Sequence, residues 1–195
     1  FHLKDISEEE KTEMKSLQNW AREMRYNFFF NLLKKENLDF IVTAHHLNDE
    51  LETFIINLSR GSGIKGLSGI PKNENRILRP FLTFSKSEIY AFAEENNIDF
   101  REDKSNQKDD YLRNKIRNKI VPKITEIFPN FLEQFGESIG YLATVNQFFQ
   151  EEIQKTFDEI FIDGNESDFT LNKEILFQKH KTIIIEIIRK LGFTG

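Results

Sequence analysis

The 195-residue sequence contains no cysteine. That excludes disulfides, cysteine-ligated zinc and iron–sulfur clusters, and it fits a reducing compartment, so a cytoplasmic location is expected. No apolar run approaches the roughly 18 residues that mark a membrane-spanning helix, and no membrane partner is expected. No secretory leader pattern, internal repeat or low-complexity tract is visible. Bases are outnumbered, 27 Lys and Arg against 32 Asp and Glu, for a net charge of −5. This argues against non-specific nucleic-acid binding by the chain as a whole but leaves room for a local basic patch. What is present is an ordinary globular balance, 38% hydrophobic and 30% charged residues. The length suffices for one sizeable core, or for one domain and part of a second. The 20 phenylalanines, with many Ile, Lys and Asn, read as the coding bias of an AT-rich genome. The chain opens on Phe1 rather than Met and stops at Gly195, each close to a helix signal, so an internal piece of a longer protein is expected.

Patterning divides the chain into alternating helix and short-strand signals. Residues 7–36 read as a helix: Ser7 and Glu10 form a capping-box pattern, and Met14, Leu17, Ala21, Met24 and Phe28 recur at helical spacing. DFIVTA (39–44) reads as a buried strand feeding directly into a helix, the α/β pattern. RILRPFL (76–82) is a second strand candidate and IDF (98–100) a third. Ser85 and Glu88 make another capping box, opening a helix to about Asn97. Residues 107–124 read as a basic helix stopping near Pro122. Asn130 is expected to cap a helix to about Phe161, roughly 45 Å long. IDGNESD then reads as a turn, and a last helix ends at Gly192, a natural position just past a C-terminus. Charge marks a boundary. From Arg101 to Lys123 there are eight Lys or Arg against four Asp or Glu, and from Ile124 onward six against twelve.

The stretch HHLNDELETFIINLSRGSG (45–63) concentrates the chemistry. Leu47, Leu51, Phe54, Ile55 and Leu58 form one apolar stripe on a helical wheel. His45, Asp49 and Glu52, at i, i+4 and i+7, fall on the opposite face, with His46 and Thr53 to one side. Three readings compete: a plain amphipathic helix with a solvated polar face, a metal site, and a nucleotide-facing helix. The spacing of the zinc-protease helix is not met, because no second His stands at i+4, and no protein-held metal is expected. Position favours the nucleotide reading. The histidines fall where a strand ends and a helix begins, where open α/β sheets bind ligands and helix N-terminal amides attract phosphate.

The segment TAHHLNDELETFIINLSRGSGIKGLSGI (43–70) resembles a signature of the tRNA(Ile)-lysidine synthetases, in the ATP pyrophosphatase group with a PP-loop. The family pattern is approximately His-His-x-Asp-Asp-Gln-x-Glu-Thr, Arg-Gly-Ser-Gly, then Gly-Leu-x-Gly-Ile. His45, His46, Asp49, Glu52, Thr53, Arg60, Gly61, Ser62, Gly63, Gly66, Leu67, Gly69 and Ile70 match it, while Asn48 replaces an Asp and Glu50 replaces the Gln. WAREMRY (20–26), RPFL (79–82), EDKSN (102–106) and YLRNKIR (111–117) resemble further family segments in the same order. The family's Ser-Gly-Gly-x-Asp-Ser loop does not occur in these residues.

The resemblance implies a partial adenine-nucleotide α-hydrolase-like (Rossmann-like) α/β fold, a parallel sheet with helices followed by a helical subdomain. Residues 1–100 would be the second half of the PP-loop catalytic domain, 101–130 a basic substrate-binding segment, and 131–195 a connecting helix and helical subdomain. It implies a ligase that uses ATP and Mg²⁺ to join free L-lysine to the anticodon cytidine of isoleucine tRNA through an adenylated base. A chain without the loop is expected to be inactive alone. In that chemistry Asp49 and Glu52 would face a lysine ammonium or Mg²⁺, and His45 or His46 the phosphates or the base. Arg60 would offset leaving-group charge, and Gly61 and Gly63 would let the backbone approach closely. Arg113, Asn114 and Arg117 would serve tRNA or phosphate, with Leu112, Ile116 and Ile120 on the other helix face. For Arg22 and Arg25, tRNA contact and a structural ion pair stand side by side, as do solvated charge and function for Arg113 and Arg117. His2 and His180 read as incidental. Two alternatives stay open: another PP-loop tRNA-modifying enzyme, and a non-catalytic helical tRNA-binding module.

Overall fold

The computed structural model describes residues 17–101, 112–164 and 169–192. They fall into two compact units, one built from the described residues up to Leu47 and from 71–92, the other from 48–70 and the described residues from Ala93 on.

The first unit carries a helix and a small mixed sheet. Helix α1 (Leu17–Lys35) is continuous across the described part of the first predicted helix, while Ser7, Glu10 and Met14 lie outside the described residues. It ends on Asn37, at φ 52°, with the amide of Leu38 donating to Leu33 O at 2.9 Å; Asn tolerates the left-handed turn that closes a helix. Strand β1 (Ile41–Val42) pairs in parallel with β3 (Ile77–Leu78), which pairs antiparallel with β2 (Asn73–Glu74), giving the order β1-β3-β2. The two-residue β2–β3 turn places both Asn75 (φ 49°) and Arg76 (φ 63°) in the left-handed region. That is the hairpin turn whose twist matches the flanking strands. Arginine is an unusual residue there, and its guanidinium is tied to Asp39 O at 2.8 Å and Leu38 O at 2.6 Å. The DFIVTA run is therefore a strand, but a short edge strand rather than a buried one. Val42 is 65% exposed, because among the described residues only β3 borders it.

Helix α4 (Lys86–Glu95) starts as its sequence demands. Ser85 Oγ accepts from the Glu88 amide at 3.1 Å, and Glu88 Oε2 accepts from the Ser85 amide at 2.7 Å. This is the reciprocal capping box, and the Ser85 bonds hold Glu88's carboxyl below the usual carboxylate range. The IDF stretch is not a strand. Ile98 is instead used to close α4, its amide donating to Ala93 O at 2.8 Å around Asn97 at φ 52°.

The second unit holds α2 from Asn48 on (the helix spans Leu47–Ser59), the short α3 (Ile64–Leu67), and the helical C-terminal half. The basic segment runs as α5 (Leu112–Lys115), a π-helical turn (Ile116–Ile120) and α6 (Val121–Ile127). Pro122 does not stop this helix: it sits in the first turn of α6, where its missing N–H costs nothing. The π turn also breaks the expected apolar face. Ile116 is buried, whereas Leu112 is 53% and Ile120 41% exposed. Helix α7 (Phe131–Ile160) has 30 residues, and Asn130 occupies its N-cap position. With ψ near 14° rather than extended, the Asn130 side chain makes no capping bond. The predicted turn beyond it is a hairpin, β4 (Phe161–Gly164) antiparallel to β5 (Phe169–Leu171).

Two short helices complete this unit, α8 (Lys173–Leu176) and α9 (Lys181–Lys190). His180, read as incidental, caps α9 by accepting from the Thr182 amide at 3.3 Å. Gly192, at φ 84°, follows α9 as expected. Ile153, Ile160 and Ile187 form the core here, with Phe149, Phe157 and Leu171 packed around them. Among the described residues no helix is long and apolar enough to cross a membrane.

Replacing Ser85 with Ala should cost about 1 kcal/mol, the usual worth of a helix N-cap. Replacing Ile187, which is 0% exposed, with Ala should cost about 2–5 kcal/mol through the cavity it leaves. Urea unfolding midpoints of both variants against the parent chain check the two values.

Candidate functional site

The second unit brings four of the sequence-predicted residues into one cluster. Asp49 and Glu52 lie one turn apart on α2, and Arg113 and Arg117 reach them from α5 and the π turn. The Arg117 guanidinium grips Glu52 with both carboxylate oxygens, Nε to Oε1 at 2.6 Å and Nη2 to Oε2 at 3.0 Å. The same Nη2 lies 3.4 Å from Asp49 Oδ1. Arg113 adds Nε at 3.5 Å from Glu52 Oε2 and donates from Nη2 to Thr53 Oγ1 at 2.7 Å. Asn114, between the arginines, is buried.

The solvated polar face of a plain amphipathic helix is thus not what forms. Glu52 is 1% exposed, while Leu58, at the end of the expected apolar stripe, is 55% exposed. Nor are the arginines the solvated surface charge that their sequence left open. A fork matching a carboxylate in two places is the geometry in which Arg differs most from Lys.

Burial pushes the Glu52 carboxyl up from the usual carboxylate range. Hydrogen bonds and charge from Arg117 oppose that rise, Asp49 adds to it, and Arg113 opposes it. The three carboxylates at this end of α2 are not equivalent. Asp49 retains 14% side-chain exposure against 1% for Glu52. Glu50 is buried and faces another way: its Oε2 accepts from the Ile70 amide at 2.7 Å. A Cβ at Gly69, which sits at φ 83°, would stand 2.6 Å from that oxygen. Gly69 is required there on both counts. Glu50 and Thr53 are the residues whose parts the sequence reading missed. Glu50 stood out only as a departure from the family pattern, and nothing in its spacing pairs it with a backbone amide 20 residues on.

The Arg-Gly-Ser-Gly segment ends α2. Gly61 takes φ 70° and its amide returns to Leu58 O at 3.0 Å. Asn57 fastens the following turn by donating from Nδ2 to Gly66 O at 2.7 Å. Arg60 and Gly63 are exposed. The remaining predicted residues belong to the first unit. His45 Nδ1 and Thr43 Oγ1 are 2.8 Å apart, and His46 is half-buried. Arg22 lies over the Tyr26 ring, 4.8 Å from its centroid, and Arg25 is exposed. Among the described residues no group of three or more His, Asp or Glu is placed to hold a metal.

The cluster sets a stability prediction. Arg117→Gln should cost about 3–5 kcal/mol near neutral pH, because it strands a buried carboxylate without its main counter-charge. A folded-state pKa above the unfolded value means that ionised Glu52 costs stability above that pKa, a cost relieved as pH falls below it. Removing Arg117 takes away the main opposing pull, so the cost grows. The gap between variant and parent should therefore narrow as pH falls from about 8 to about 5. Chemical denaturation at several pH values checks this, and a pH-independent gap would contradict it.

Comparison with known proteins places the chain in a family. Residues 1–124 match the family model described as the PP-loop domain. The chain is 37% identical over 193 residues to a tRNA(Ile)-lysidine synthase of Clostridium perfringens, covering 98% of this chain and 40% of that protein. It is 36% identical over 154 residues to the synthase of Francisella tularensis, covering 77% and 39%. For that of Bacillus subtilis the figures are 32% over 160 residues, covering 80% and 34%. The chain spans about two-fifths or less of the length of these relatives. With most of its length matched by one family model and its acid–arginine cluster inside that match, the chain belongs to the PP-loop domain family.

Proposed function

We propose that this chain is part of a tRNA(Ile)-lysidine synthase, an ATP-dependent ligase that forms a C–N bond. The observation that carries the reading is the Asp49–Glu52 acid pair organised by two arginines, on the helix that the Arg-Gly-Ser-Gly segment ends. In the proposed reaction, O2 of the anticodon cytidine attacks the α-phosphate of ATP and pyrophosphate leaves. The amine of free L-lysine then attacks C2, and AMP leaves with the C2–O2 electron pair.

The residues divide the work unequally. Glu52, with both oxygens taken by Arg117, is a positioning group: it fixes the guanidinium and, through it, the Asp49 side chain. Asp49 keeps an accessible carboxylate and suits the lysine ammonium, an attraction that a charge-assisted hydrogen bond strengthens. Mg²⁺ typically binds substrate phosphates plus one or two carboxylates, and Asp49 is the member of the cluster with surface to offer it. Bound there, it would neutralise triphosphate charge. His45 or His46 would serve phosphate or base, and Arg60, Gly61 and Gly63 the leaving group, while Arg22 and Arg25 are assigned to tRNA. Arg113, Asn114 and Arg117 act on tRNA in this reading by shaping the cluster that receives the base. On the same reading residues 1–100 belong to a Rossmann-like catalytic domain, 101–130 to a substrate-binding segment and 131–195 to a connecting helical subdomain.

Two outcomes test this. In the full-length protein, Asp49→Ala should raise the lysine concentration needed for half-maximal lysidine formation at least tenfold while leaving tRNA affinity within about twofold; tenfold corresponds to about 1.4 kcal/mol of lost contact. An equal loss of tRNA affinity would remove Asp49 from the lysine site. The 195-residue chain by itself, which contains no Ser-Gly-Gly-x-Asp-Ser segment, should release no AMP from ATP in the presence of tRNA and lysine. Carboxylates do not substitute for the backbone amide nest that holds a triphosphate. Detectable tRNA-dependent AMP would overturn that.

A further inference from the structure

Within the second unit a groove of about 650 Å³ runs between α3, the middle of α7 and the end of α9. None of the residues assigned above to lysine, ATP or tRNA chemistry lines it except Gly63, so it adjoins the Arg-Gly-Ser-Gly turn through the chain itself. Its size falls within the range of ligand clefts. Its lining combines two chemistries. Phe149 and Ile153, which also pack this unit's core, supply an apolar floor, and Gln150 supplies an amide that can donate and accept, while both ends of the Gln154 amide are engaged by Asp158 and Lys190.

The rim is cationic: Lys65 on one side, Arg189 and Lys190 on the other, against the single carboxylate Glu186. That is notable in a C-terminal stretch, from Ile124 on, with twice as many acids as bases. The two cations of α9 are held in place. Arg189 Nη1 is 2.5 Å from Glu186 Oε1 and its side chain stays 64% exposed. Lys190 Nζ donates to Gln154 and lies 5.1 Å from the Phe157 ring centroid.

We propose that this groove binds RNA, taking one unpaired nucleotide with its flanking phosphates. Lys65, Arg189 and Lys190 meet phosphate, Phe149 meets the base face, and Gln150 meets a base edge, with Gln154 holding Lys190 in place. Cations tracking a backbone beside an aromatic platform is the general solution for single-stranded nucleic acid, and RNA is read mainly at such unpaired nucleotides. The inference rests on the reading of the protein as a tRNA-modifying enzyme and adds a second contact region to it. It also gives the acidic protein a local surface of the opposite sign, which the paired arginines Arg113 and Arg117 do not supply.

The test measures binding of isoleucine tRNA transcript to the full-length protein at several salt concentrations, a readout independent of lysidine formation. The variant Lys65→Gln/Arg189→Gln/Lys190→Gln changes exposed side chains, so its fold should survive. It should bind more weakly, and its log affinity against log salt should be shallower by about 2, since each lost phosphate contact removes about 0.7. Lys65→Gln alone should account for about 0.7 of that. Phe149→Leu keeps the charge, so it should weaken binding about tenfold, the scale of one lost base–aromatic stack, with the salt slope unchanged. Parallel slopes for parent and triple variant would overturn the groove as an RNA site. A shallower slope with Phe149→Leu binding unchanged would overturn the stacked nucleotide. If the parent forms lysidine yet the slopes are parallel, the groove inference alone fails. If the parent binds tRNA with these slopes but forms no lysidine, the proposed reaction fails and the groove stands.

Discussion

A carboxylate sealed from water at Glu52 is the constraint on which the rest of the site depends. An ionised acid at 1% exposure is tolerable only with charge and donors brought to it. Arg117 meets that requirement with a two-point fork, and Arg113 adds a second, looser charge. The consequence is architectural. The segment from Leu112 to Ile120 must lie where it can reach Glu52, and Thr53 and Asp49 are recruited on the way. Buried ion pairs rarely repay their desolvation in stability. Their gain is definition of place, and here the place defined is that of Asp49, the one acid of the cluster with open surface.

A second buried acid organises the other side of α2. Glu50 spends its carboxylate on a main-chain amide, at Ile70, and thereby holds the return of the glycine-rich segment against the helix it left. Two acids two positions apart point to opposite tasks, as helical geometry dictates: one anchors side chains, the other backbone. The segment between Arg60 and Ile70 is therefore pinned at both ends, by Gly61 and Asn57 at its start and by Glu50 at its end.

Much of this was legible in the sequence because it is local. The Ser85–Glu88 capping box, the 30-residue helix after Asn130 and the glycine beyond the last helix are each written in adjacent residues. The motif of residues 43–70 also pointed to the family. What was not legible depends on partners far along the chain. Helical periodicity put Glu52 on a polar face and could not reveal that arginines 61 and 65 positions later would cover it. An apolar run reads as a buried strand at 39–44, yet burial is decided by neighbouring strands, and among the described residues one borders it. Pro122 was read as a stop when its position relative to a new helical turn made it a start.

The π turn at Ile116–Ile120 carries one more residue than the α-helical turn it replaces. Upstream of it the helix is phased by Arg113 and Asn114; downstream it is phased by the residues of α6. The turn absorbs a mismatch between two stretches that each have their own facing requirement. Changes of length are consequently not equivalent here. Loss of one residue inside the turn restores regular winding with both stretches still facing as they did, whereas the same loss in a plain α-helix rotates everything beyond it. Within the family, the spacing between the arginines and the proline should therefore be read as a unit, and an alignment gap placed inside it carries mechanical meaning that a gap in the neighbouring helices does not.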